Sequence, residues 1–260
     1  MLNKFLKSIG EFFSKLFAKK ESSSPLPIEA SPPAQIEPPK EDPADEVPVP
    51  LPEKLSVFSL ALFPTGKDRR LRSEMIEFLD TKIFPTGFVE DDDLIKNPKR
   101  LFLAACKVMV GIREEGGPNK GKLVEWIQDT YGNIVGEPWC ASAMQTGIAY
   151  AETRTGVISP VIASEHCLTI HQKTPKEARL QEPKKGALII WRHGNTQSGH
   201  IGAIVSVLAN GVRITYEGNT SSGSAINREG DGFYERQRAK GGVGNMKELG
   251  FIDPFPSHEV

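Results

Sequence analysis

Helical patterning up to about residue 155 and strand patterning after residue 185 predict a fold whose helices and strands are segregated along the chain rather than alternating. Three observations carry this. Ala141 to Glu152 is a run of good helix formers directly behind Pro138, which cannot continue a helix from upstream. Gly186 to Trp191, His200 to Leu208 and Val212 to Glu217 read as strands. Asn210-Gly211 between the last two is a strong hairpin signal.

The chain has 260 residues, a net charge of −1 and three cysteines. This length fits one or two domains, and the charge gives no global reason to expect nucleic acid as a partner. Cys106, Cys140 and Cys167 are too few and too far apart for a disulfide framework, and no Cys/His spacing suggests a metal. Neither a metal nor another cofactor is expected. Synthesis in a reducing cytoplasm fits best, and no apolar run is long enough to span a bilayer.

Residues 1–20 place Leu2, Phe5, Leu6, Ile9, Phe12, Phe13, Leu16 and Phe17 at helical spacing among lysines, a basic amphipathic helix suited to an anionic membrane surface or to a protein partner. Residues 21–54 are dominated by Pro, Glu, Ser and Ala and read as an extended, disordered spacer. In the extension 55–97 the clearest element is a helix from Asp68 to Lys82 with Leu71, Met75, Phe78 and Leu79 on one side, and Glu90 to Asp93 reads as a solvated turn rather than a calcium loop.

Arg100 to Arg113 reads as a buried helix that takes Cys106 into the core. Gly116 to Leu123 nearly matches a phosphate-binding loop, but Leu123 stands where Ser or Thr is required and Pro118 removes a cradling N–H. The stretch reads instead as a turn whose Asn119 caps the helix running to Tyr131, and Asn119 is also a candidate substrate-binding residue.

The stretch Gly136 to Met144 carries the strongest chemical signal. Cys140 stands at a helix start, where unpaired N–H groups and the macrodipole favour thiolate. A cysteine nucleophile needs an imidazole to take its proton and a polar group to orient that imidazole. A two-residue hairpin loop pairs residues whose numbers sum to 421, and a four-residue loop gives 419. Either register puts His200, Glu217 and Asn219 on one sheet face, with Asn219 nearer His200, whereas a three-residue loop flips one strand and removes the convergence. A β-bulge near Gly218 would re-aim one of the two candidate orienters. The competing base is His193, in the loop Arg192 to Gly199. The competing nucleophile is Cys167 beside His166, in a stretch from 155 to 182 that reads as loop-rich with no helix start after Cys167.

Pro138-Trp139-Cys140-Ala141, Gly199-His200-Ile201-Gly202 and Glu217-Gly218-Asn219, in this order, resemble the CHAP domains of the papain-like NlpC/P60 superfamily, found in phage endolysins and bacterial wall hydrolases. The resemblance covers about residues 98–255. It implies an α+β fold with the nucleophile's helix packed on an antiparallel sheet, and cleavage of amide bonds in peptidoglycan. It makes Cys140 the nucleophile, His200 the base, Glu217 the usual orienter and Asn219 a fourth polar member. Trp139 and Trp191 are candidate substrate-groove residues, although a Trp in such a place is more often core. The expected protein is thus a monomeric peptidoglycan amidase or endopeptidase, made in the cytoplasm and acting on the wall or periplasm, with possible membrane association through residues 2–20. An inactive wall-binding module and a cysteine protease acting on proteins are the alternatives.

Overall fold

The structure, a computed structural model, describes residues 69–89, 93–132, 134–221 and 230–260, and Val243 by its backbone alone. The amphipathic helix of 1–20 and the spacer of 21–54 lie outside the described residues, as does the part of the extension before Arg69.

Among the described residues six helices come first: α1 (Ser73–Ile83), α2 (Asp93–Lys96), α3 (Pro98–Met109), α4 (Lys122–Asp129), α5 (Cys140–Thr155) and α6 (Cys167–Lys173). Seven strands follow: β1 (Arg179–Leu180), β2 (Leu188–His193), β3 (Gly199–Val207), β4 (Arg213–Thr220), β5 (Gly232–Arg238), β6 (Gly242–Val243) and β7 (Met246–Ile252). They form one antiparallel sheet in the order β1-β7-β2-β3-β4-β5, with β6 paired to β7. The segregation of helices and strands expected from the sequence is present, and the fold is α+β.

Local chemistry explains where the helices begin and end. Asn97 accepts hydrogen bonds from the N–H groups of Lys99 and Arg100, and Pro98 takes the first helical position of α3, where its missing N–H costs nothing. Helix α5 ends at Gly156, whose left-handed conformation (φ 71°) closes the C-terminus. Asn119 does not cap α4: that helix starts at Lys122 behind Gly121, two residues beyond Asn119's position in the turn.

Helix α5 is the axis of the domain. Every residue from Cys140 to Arg154 is buried, so it has no polar face to turn to water. Helices α3 and α4 and strands β3 and β4 all pack against it. The apolar core combines Phe102, Met109, Met144 and Ile148 with Ile190, Ile201 and Ala203 from one face of the sheet. The opposite face carries a second, smaller cluster of Ile189, Trp191, Ile204 and Phe251.

The segment before residue 98 belongs to this same body. Met75 and Leu79 of α1 are fully buried, and Arg69 bonds to Glu152 of α5 at 2.7 Å and to Gln145 at 2.7 Å. Asp80 receives the Tyr150 hydroxyl at 2.7 Å and is paired with Arg154. Residues 69–97 therefore supply buried countercharges to α5, which the division of the sequence at residue 98 did not anticipate.

Candidate active site

Cys140 is the first residue of α5, as its position behind Pro138 requires. The hairpin that carries His200 is built differently from either register considered above. Leu208 and Val212 close a three-residue loop, Ala209-Asn210-Gly211, with Gly211 at φ 78°. That loop alone would flip one strand. The pairing nevertheless shifts between Ile204 and Ser206, so Ser206 faces Ile214 while Ile204 faces Thr215 and Ala203 faces Tyr216. The bulge restores the parity lost at the turn and returns His200 and Glu217 to one face.

The imidazole Nε2 of His200 lies 2.9 Å from Glu217 Oε2, and the same ring hydrogen-bonds the thiol of Cys140. Gly202 makes this possible: a Cβ there would stand 2.7 Å from Glu217 Cγ, so any larger residue would displace the carboxylate from beneath the ring. Gly218 has a similar role beside Cys140, since a Cβ would meet Ala143 Cβ at 2.7 Å and the Trp139 ring at 2.8 Å. Glu217 is fully buried and also accepts the hydroxyl of Thr215 at 2.5 Å and the guanidinium of Arg238.

Electrostatics separate the charges. Cys140 is held well below the ordinary thiol range, first by the hydrogen bond from Cys167 and then, against the cost of burial, by His200 and the Ala141 N–H. Burial works against an imidazolium at His200, but its hydrogen bonds to Cys140 and Glu217 outweigh this and raise it to about 9. Burial would likewise raise Glu217, yet Arg238 and His200 hold it at about 2. A thiolate–imidazolium pair backed by a carboxylate is the state these neighbours favour.

Cys140 and His200 open onto a cavity of about 570 Å³ that also touches Asn219, Cys167, His193 and Glu165. Asn219 is not the orienter. The β4–β5 register shifts between Glu217 and Thr220, Asn219 takes a left-handed φ of 51°, and its amide donates to Asn119 Oδ1 at 2.7 Å and Glu114 Oε1 at 3.3 Å. The residue closest to His200 in the expected registers is thus turned toward the α3–α4 turn, and Glu217 takes the imidazole.

The three proposed substrate contacts do not reach the cavity. Trp139 is fully buried, with its Nε1 donating to Glu114 at 2.9 Å. Trp191 is fully buried and stacks on His200 at 5.7 Å between ring centroids. Asn119 is nearly buried and braces Asn219. All three support the site from behind.

Several neighbours were not legible beforehand. A helix does start at Cys167, and its Sγ lies 3.6 Å from that of Cys140. Cys167 is therefore a hydrogen-bond partner of Cys140. Arg238 lies on a strand whose composition alternates weakly, and Thr215 and Glu114 carry no local motif. Cys106 is fully buried in the core. Among the described residues no three His, Cys, Asp or Glu side chains form a group that could hold a metal ion, and no helix is long and apolar enough to cross a membrane.

No family model, curated protein or solved structure matches the chain.

Proposed function

We propose that this protein is a cysteine hydrolase of amide bonds, with peptidoglycan as its substrate class. The observation that carries the chemistry is the single imidazole that touches both the thiol at the start of α5 and a buried carboxylate at 2.9 Å, at the edge of an open cavity. The Cys140 thiolate attacks a peptide carbonyl carbon, and the N–H of Cys140 at the helix start donates to the developing oxyanion. The His200 imidazolium gives its proton to the departing amine. Water then attacks the thioester with His200 as base, and Glu217 steadies the imidazolium in both steps.

Support for peptidoglycan as substrate comes from the motif resemblance to CHAP domains. Mass spectrometry of purified wall material before and after incubation tests it: new free amino or carboxyl termini should appear at one bond type with the native protein and none with Cys140→Ala. Turnover of casein without any change in the muropeptides would transfer the reading to a protease of proteins. Intact walls and intact casein, with a folded protein, would make it a binding module.

A further inference from the structure

Both Cys140 and Cys167 border the same cavity and are the first residues of two different helices, with their sulfurs 3.6 Å apart. We propose that this pair is a modification site: hydrogen peroxide entering the cavity converts Cys140 and Cys167 into a disulfide that withdraws the nucleophile, and a thiol reductant restores it. Its effect on activity rests on the hydrolase reading above; the bond itself does not.

The geometry requires little. A disulfide needs its sulfurs at roughly 2.05 Å, so the pair must close by about 1.5 Å, a distance side-chain rotation can cover. Both side chains are more than nine-tenths buried, so neither is swept by bulk solvent, and the cavity is the route by which a small oxidant arrives. Cys106, fully enclosed in the core and raised far out of reactive range by burial, is an internal control.

The chemistry balances in two steps. The Cys140 thiolate attacks one oxygen of the peroxide; an S–O bond forms, the O–O bond breaks, and the leaving hydroxide takes a proton from the imidazolium to give water and a sulfenic acid. The Cys167 sulfur then attacks the Cys140 sulfur; the S–S bond forms, the S–O bond breaks, and the departing hydroxide takes the Cys167 proton as a second water. Two sulfurs are oxidised and one peroxide is reduced. The order follows from the neighbours: Cys167 is held protonated chiefly by its hydrogen bond to Cys140, and loss of the Cys140 anion to the first step removes that restraint.

The test treats the full-length protein with hydrogen peroxide, reads its intact mass, and maps its peptides. The expected result is a loss of about 2 Da, a Cys140–Cys167 crosslinked peptide, and wall digestion that falls at least about tenfold and returns with dithiothreitol. Cys167→Ser, checked by Cys167→Ala, should lack the crosslink and gain oxygen mass at Cys140 that dithiothreitol no longer reverses. The proposal is overturned if the native protein accumulates sulfinic acid at Cys140 without the crosslink, if Cys106 supplies the partner, if no cysteine is oxidised, or if the Cys167 variants recover as fully as the native protein. A crosslink in a protein that never digests walls would overturn the hydrolase reading and leave the modification site standing.

Discussion

The two ends of helix α5 both bury charge. At the N-terminal end Cys140 meets His200, which is backed by Glu217 and Arg238. At the C-terminal end Glu152 holds Arg69 at 2.7 Å and the Ser159 N–H at 2.9 Å, while Arg154 pairs with Asp80, which also takes the Tyr150 hydroxyl. The second cluster is enclosed by α1 and the core, and none of its four ions borders the cavity at the other end. The first has two members, Cys140 and His200, beside a cavity. Burial and pairing alone therefore do not mark a reactive site; an ion whose partners leave one side open does.

This contrast can be broken from either end. Cys140→Ala should reduce wall digestion by roughly 10⁴-fold or more while leaving the unfolding midpoint near that of the native protein, because it removes the nucleophile and only a small volume. Retained digestion would show that the open end is not the catalytic one. Glu217→Gln should cost about 10³-fold in kcat, since an amide can orient the imidazole but cannot balance its charge. Asp80→Ala should do the reverse: a loss of about 3 to 5 kcal/mol in urea unfolding, because Arg154 is left buried without its countercharge, with kcat of the folded fraction nearly unchanged. A large kcat defect in a stable Asp80→Ala protein would mean that the two ends are coupled through α5.

The pH dependence sharpens the comparison. His200, raised from 6.5 to about 9, contributes stability that is complete below pH 6.5 and lost as pH rises through about 9. Cys140 is depressed, so its contribution is present above pH 9 and lost as pH falls through its folded value. Between pH 6.5 and 9 the two slopes oppose each other. Folded or unfolded, the pair holds one proton, which folding moves from sulfur to nitrogen. Iodoacetamide should thus label Cys140 at a nearly constant rate over this window, whereas a free thiol would gain about tenfold per pH unit. Digestion should nevertheless decline above about pH 9, where the imidazolium is lost. Glu217, lowered from 4.5 to about 2, contributes stability that disappears as pH falls from 4.5 toward 2. The smallest effect belongs to Asn219→Ala, expected to cost only several-fold in wall digestion and less than Glu217→Ala, because its amide is committed to Glu114 and Asn119.

Much of this site was legible in one dimension. Pro138 followed by helix formers placed Cys140 at a helix start, and period-two alternation joined His200 to Glu217. That alternation succeeded through two departures that cancel: a three-residue turn and a bulge before Ser206, neither of which has a signature distinguishable from an ordinary Asn-Gly hairpin. The sequence leaves Trp139 and Trp191 open between groove and core because an aromatic beside a candidate nucleophile reads the same whether it faces substrate or braces the helix from behind. Cys167 carries no helix signal because α6 is only seven residues long and has no side-chain cap. Arg69, Asp80 and Arg238 escaped because the partner of a buried ion is fixed by tertiary packing, which leaves no local pattern.

The stack of Trp191 on His200 gives the domain an optical readout. The indole lies nearly parallel to the imidazole, at 27° and 5.7 Å, within a dry interior where its emission is undisturbed by solvent. An imidazolium at that distance accepts an electron from the excited indole and quenches it, whereas a neutral ring does so poorly. Trp191 should therefore be dim at neutral pH and brighten as pH passes about 9, so that fluorescence follows the His200 proton with no substrate added.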